Sequence, residues 1–384
     1  MTASGPPAFD RRALAAEVLA QIRAAPSAWH RSRALRGVAR HLGEDQIEEA
    51  GRIAAQLTEP EWRAAAQAAL AAHARGPERS ANLDGGLRAA RSVVVPRRRA
   101  WAMLLVLSVM HPAERSHLRL ELFSAIDEAQ DPADLSLLLP DVPDEWVEEA
   151  AARADAIPVP WMRAETFAAL IARMALERRQ GWIRKALDAG READDPGGKG
   201  RAFAGLVELV AESEREELIR LALREAAHAA DEGTRSIVLT ELARFLAGEK
   251  LSEAWDLAAA MARSELRLPL LELLADGGQG PSVAERVLAV WNGLAMMDDE
   301  WAKSTALMRL WPRLPGDLHK QAVAMAGSMR DPWARADLLA FLSSRVPAPQ
   351  DILLLGQAIA CARSAPSPWA RARALTAILG RTEG

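Results

Sequence analysis

The sequence predicts an all-α protein: an α-solenoid of about eleven antiparallel helix hairpins, with a period of about 34 residues. Three observations carry that expectation. Half of the 384 residues are apolar, with Ala and Leu dominant and β-branched residues scarce, which favours helix over strand. A short phrase recurs along the chain. Apolar residues after each copy repeat at helical spacing, as in Trp369, Ala372, Leu375, Ile378 and Leu379.

The phrase is a capping residue, then Pro, Glu or Ala, then Trp, any residue, Arg, a small residue, two variable residues and Leu. It is clearest at Asp331-Pro332-Trp333-Ala334-Arg335-Ala336 and Ser367-Pro368-Trp369-Ala370-Arg371-Ala372. Further copies start at Ser27-Ala28-Trp29, Val159-Pro160-Trp161 and Asp299-Glu300-Trp301. With the Trp position as register, degenerate copies are placed at Glu61, Arg97, Ala133, Lys199, Gly233 and Glu265. Steps between register positions run from 28 to 38 residues, so connections vary in length.

Each copy has the chemistry of a helix start. Asp331 or Ser367 at the N-cap accepts from an orphan backbone N–H. Pro60, Pro160, Pro332 and Pro368 suit the first helical position, where no N–H is needed. A second helix is expected after each short break, for example after Pro315-Gly316 or Pro347-Ala348-Pro349. Hairpins of this size bury their apolar faces only by stacking on neighbours.

The repeated Trp29, Trp161, Trp301, Trp333 and Trp369 are expected to pack between successive hairpins; a row of them on an open face would instead grip a peptide or bases. The repeated Arg31, Arg163, Arg335 and Arg371 stand in a first helical turn, where a cation opposes the macrodipole. They are expected to offset this by bonding carboxylates or free carbonyls of the neighbouring hairpin; an outward-facing anion ladder is the rival reading.

The domain reading is a disordered residues 1–8 followed by one continuous solenoid over 9–384. Phe9 to Ile22 reads as a lone second helix, and the last unit, starting at Trp369, as lacking its second helix. An apolar side would then be left open at the C-terminal end, to be tolerated, covered by a partner or used for self-association.

No residue cluster amounts to a reaction centre. The seven His are dispersed, and His111 and His117, six apart, do not share a helix face. The single Cys361 excludes an internal disulfide and reads as a buried structural thiol. Asp195-Pro196-Gly197-Gly198-Lys199-Gly200-Arg201 lacks phosphate-loop spacing and reads as a loop at a repeat boundary, and Gly277-Gly278-Gln279-Gly280-Pro281 as a turn. Acidic runs such as Asp298-Asp299-Glu300 and Glu214-Arg215-Glu216-Glu217 read as caps and dipole partners. No catalytic residue, metal or cofactor is expected, and there is no apolar signal core or membrane-length stretch, so the chain reads as cytoplasmic.

Charge is uneven. Residues 1–120 carry 18 Arg against 11 acids, and the remainder 30 basic residues against 41 acids. Such a bipolar molecule could steer a charged partner to one end. The densest basic patch is Arg97-Arg98-Arg99 with Arg88, Arg91 and Trp101, a candidate anion or partner surface.

The Trp-x-Arg-Ala-x-x-Leu phrasing resembles degenerate HEAT/TPR-like α-solenoid repeats of bacterial proteins. The resemblance spans nearly the whole chain but rests on packing residues. It implies a binding surface and no activity. Similar arrays form the sensor portion of NACHT-type NTPases, and HEAT-like DNA glycosylases use Trp and acidic residues in a basic groove. The expected function is therefore a non-enzymatic scaffold binding a protein or peptide. A nucleic-acid-binding solenoid using the basic N-terminal third, or a sensor component of a bacterial defence or signalling system, are the alternatives.

Overall fold

The computed structural model describes residues 10–274 and 283–382; the expectations for residues 1–8 and for Gly277 to Pro281 lie outside them. The described residues are all-helical, without strands. They form two compact units, Met1–His117 with Glu300–Gly384, and Leu118–Asp299.

The first unit opens with α1 (Arg11–Ala24), α2 (Ala28–Val38), α3 (Glu44–Ala55), α4 (Pro60–Ala71), α5 (Gly76–Arg91), α6 (Pro96–Leu107) and α7 (Pro112–Arg115). The second unit contains α8 (Arg119–Asp127), α9 (Pro132–Leu138), α10 (Val147–Ala154), α11 (Pro160–Ile171), α12 (Leu176–Glu192) and α13 (Pro196–Leu206). It continues with α14 (Glu212–His228), α15 (Glu232–Leu242), α16 (Gly248–Ala259), α17 (Ser264–Leu274) and α18 (Val283–Ala295). The first unit resumes with α19 (Glu300–Leu310), α20 (Gly316–Ser328), α21 (Pro332–Ser343), α22 (Gln350–Ser364) and α23 (Pro368–Arg381).

A helix starts one residue before each register position, except at Lys199, where α13 starts at Pro196 and moves the register to Gly197. These are the first helices of the recurring phrase. The capping chemistry explains their starts. Ser27, Asp231, Asp331 and Ser367 accept at the side chain from the N–H three residues on, and Pro stands at the first turn of α4, α6, α9, α11, α13, α21 and α23.

The first helices pack in two ways within each unit. A first helix such as α4, α11, α13 or α21 packs most extensively on the helix that follows it (α5, α12, α14 and α22), whereas α2, α15 and α19 pack more on the next first helix. Successive first helices pack on each other in both cases, as α2 on α4 and α4 on α6, or α11 on α13 and α13 on α15. The small residue three positions after the register permits that close approach. Ala64, Ala100, Ala164, Ala336 and Ala372 are fully buried. Where Ser stands there, it also bonds across: Ser32 Oγ donates to the Trp62 carbonyl at 2.7 Å, and Ser304 Oγ to the Ala334 carbonyl at 3.3 Å.

The open C-terminal side expected from the sequence is not open. α1 packs on α23 as α22 packs on α21, and it also touches α2 and α3. Leu14, Val18, Leu19 and Ile22 of α1 are buried, as are Leu375, Ile378 and Leu379 of α23. Polar bonds flank the apolar seam. Arg11 donates to the Leu379 carbonyl at 3.1 Å, the Glu17 carboxylate accepts from Arg363 at 2.8 Å, and Gln21 Oε1 from Arg371 at 2.9 Å. The N-terminal helix thus stands where the second helix of the last unit was missed, which removes the ground for self-association there.

The repeated Arg has a common task. Its guanidinium reaches the carbonyl six residues back, at or just past the end of the preceding helix. Arg31 bonds Ala25, Arg163 bonds Ile157 and Arg371 bonds Ala365, at 2.7–2.8 Å. Arg235 to Ala229 and Arg267 to Met261, at 3.1 and 3.0 Å, repeat the contact in the degenerate copies. A cation that opposes its own helix dipole therefore faces the negative end of the preceding helix and satisfies an orphan carbonyl there. Arg163 also pairs with Glu192 at 2.5 Å. Arg335 holds the same position, with its Nε buried and lacking a hydrogen-bond partner. Replacing Arg371, which bonds the Ala365 carbonyl and also Gln21 Oε1, by Gln is expected to lower unfolding free energy by about 1–2 kcal/mol. A denaturant midpoint unchanged from the parent would contradict that role.

The glycine-rich segment after Asp195 is a correction. It is the first turn of α13 and not a loop, with Asp195 Oδ2 accepting from Gly198 N–H at 2.5 Å. Its glycines are there for packing. A Cβ at Gly198 would lie 2.4 Å from Trp161 Cγ, and one at Gly197 2.8 Å from Thr234 Cγ2. Local propensity reads three glycines as a break, and tertiary approach of side chain to backbone overrides it. Cys361 is half-buried on α22 and not buried as expected. Among the described residues no helix is long and apolar enough to cross a membrane.

Candidate binding surface on the first helices

Of the register tryptophans, Trp161, Trp333 and Trp369 are half-buried, whereas Trp29 and Trp301 are exposed. In the first unit the Trp301 and Trp333 rings stack with centroids 3.7 Å and planes 12° apart. Trp29 meets Trp369 at 5.7 Å, and His30 meets Trp369 at 5.1 Å, where α2 packs on α23. Trp62 meets Trp101 edge-on at 5.5 Å. These rings tie neighbours together yet keep open surface: Trp29 is 37% and Trp301 39% exposed.

Arg373 completes the stack. Its guanidinium carbon lies 3.3 Å from the Trp333 centroid, and 5.6 and 5.8 Å from those of Trp301 and Trp369. Burial first, and then the charge of Arg33, holds this guanidinium below its ordinary pKa range. One helical turn after the Trp333 register, Asp337 is buried and pairs with Arg381 at 3.2 Å. Arg40, His41 and Thr376 join these residues around a cavity of about 360 Å³. Three guanidiniums then face one carboxylate, so the site has a positive excess.

The second unit repeats the constellation at equivalent positions. Arg201, four residues after the Gly197 register, lies 5.1 Å from the Trp161 ring. Its Nη2 donates to Glu165 Oε2 at 2.9 Å, and Glu165 stands four residues after Trp161. Trp161, Glu165 and Arg201 therefore match Trp333, Asp337 and Arg373. The difference is Glu241 of α15, a second carboxylate on the same cavity of about 580 Å³. Burial pushes the Glu165 carboxyl up to about 7, opposed by Arg201 and reinforced by Glu241. Burial also raises Glu241, against the pull of Arg201. Here two carboxylates face one guanidinium.

The arginine patch of the N-terminal third does not come together as one free surface. Arg98 pairs with Glu61 at 2.9 Å, Arg99 reaches the Val93 carbonyl at 3.5 Å in the repeated-Arg position, and Arg88 bonds the Asp84 carbonyl at 3.3 Å. Arg91 and Arg97 are exposed and also have interactions. Trp101 is turned to Trp62. More of this third's positive charge is spent between helices, as in Arg12 with Asp45 at 2.6 Å, Arg23 with Glu49 at 2.7 Å and Arg79 with Glu114 at 3.1 Å.

Sequence reading had singled out the Trp and Arg of the phrase but not Asp337, Arg373, Glu165, Arg201 or Glu241. Asp337, Arg373, Glu165 and Arg201 each stand four residues after a register position, and Glu241 eight after one. These offsets acquire meaning only when neighbouring first helices are laid side by side. No family model matches the chain, and no curated protein matches it.

Proposed function

We propose that the chain is a non-enzymatic interaction scaffold, an α-solenoid of about eleven helix hairpins that binds a protein or peptide segment on its first helices. The observation that carries this reading is the Trp301–Trp333–Arg373 stack, in which Trp301 remains 39% exposed. Trp and Arg are the side chains most often dominant in binding energy, because they combine large contact area with a fixed polar group. The positive excess around Asp337 favours a segment carrying carboxylates. The dispersal of the Arg88 to Arg99 patch into internal contacts weighs against a nucleic-acid track there.

A peptide display library screened against the purified chain tests this reading. Enriched peptides are expected to carry Asp or Glu, to compete with one another, and to bind at least tenfold more weakly to Trp301→Ala and Arg373→Ala. Helical signal and unfolding midpoint of each variant are measured in parallel. If no peptide depends on these residues and single-stranded oligonucleotides bind with a steep salt dependence, the scaffold reading fails.

A further inference from the structure

The second unit's cavity is a separate site with the opposite charge balance, independent of the proposed scaffold role. Four successive first helices wall it. α9 contributes Ser136 and Leu137 and no charge, α11 contributes Trp161 and Glu165, α13 Arg201, and α15 Glu241. At about 580 Å³ it lies within the size range of small-ligand pockets. Its lining is mostly apolar, with the three charged groups converging from three helices.

Charge decides what such a cavity accepts. Arg201 is bound to Glu165, lies over the Trp161 ring and also attracts Glu241, so one guanidinium is shared between two carboxylates. Glu241 is solvent-exposed, and a carboxylate in excess over the guanidinium there attracts a cation that enters the cavity. We infer that this cavity binds a small organic cation, an aliphatic amine or guanidine, whose charged end pairs with Glu241 and whose stem lies on Leu137 and the alanine wall of α11. In the first unit Gly37 stands where Glu241 does here, and Arg40 and Arg381 line the cavity beside Arg373, so that cavity would reject this ligand.

Isothermal titration of the full chain with agmatine tests the inference, with 4-guanidinobutyrate as the probe in which a carboxylate replaces the amine. Saturable 1:1 binding of agmatine with Kd at or below about 1 mM is expected, at least tenfold tighter than 4-guanidinobutyrate. Glu241→Gln is expected to weaken it at least tenfold. Ala169→Leu, at an exposed lining position, should block it while leaving all three charges in place. Binding should tighten as pH rises from 5 to 8, because the carboxylates must ionise. Absence of agmatine binding in the folded parent chain overturns the proposal, as does binding unaffected by both substitutions.

Discussion

A chain lacking residues 1–26 is expected to lose most of its stability, and a separate peptide of residues 10–26 to restore it. α1 buries Leu14, Val18, Leu19 and Ile22. Full burial of each such side chain stabilises by about 1.5–3 kcal/mol, so the set approaches the roughly 5–15 kcal/mol that holds a whole domain folded. Removing α1 also uncovers Leu375, Ile378 and Leu379 of α23, against which it packs. The truncated chain should therefore self-associate in sedimentation velocity. Added peptide binds only the folded form, so the melting temperature should climb with peptide concentration. The single substitution Leu19→Ala, at a fully buried position, should cost about 2–5 kcal/mol. A truncated chain that stays monomeric and melts with the full chain would show that α1 is not an integral part of the fold.

Two glycine substitutions in helices are expected to act with opposite sign. Gly198→Val should cost about 3 kcal/mol, because even the first added carbon would stand 2.4 Å from Trp161 Cγ and overpacking forces the ring or backbone to move. Gly181→Ala in α12 meets nothing within 4 Å. It should gain up to about 1 kcal/mol from helix propensity. Pairing Gly198→Val with Trp161→Ala should recover part of the loss, since the two residues are in contact and their effects do not add. Equal effects of the two glycine substitutions on the denaturation midpoint would refute the packing account of the α13 start. Displacement of Trp161 should also weaken agmatine binding by Gly198→Val, giving a readout that stability alone would not produce.

The contrast between these two glycines shows where sequence reading stops. Gly181 and Gly198 both sit inside helices, and local sequence marks Gly198 as part of a break without showing what its missing side chain makes room for. That is the Trp161 ring, brought over from the preceding first helix. The same limit applies to Arg373. Its four-residue offset from the Trp369 register is visible in the sequence, but its seat on Trp333 comes from a helix that starts 36 residues earlier.

What the sequence by itself determined is everything governed by contacts within about ten residues along the chain. The all-helical character, the first-helix starts at Trp29, Trp301, Trp333 and Trp369, their caps at Ser27, Asp331 and Ser367, and the positions from which Arg31, Arg163 and Arg371 reach a carbonyl six residues back are of this kind. Caps, prolines and short-range charge act through local geometry, which the order of residues fixes. Tertiary structure alone decided the rest. It placed α1 on α23 through residues about 350 apart, turned the Gly197–Gly200 segment into a packed helix start, and gave two Trp–acid–Arg constellations opposite charge excess by adding Glu241 to one and Arg381 and Arg40 to the other. Those outcomes depend on which repeats stand side by side, because burial and charge pairing are properties of the assembled neighbours.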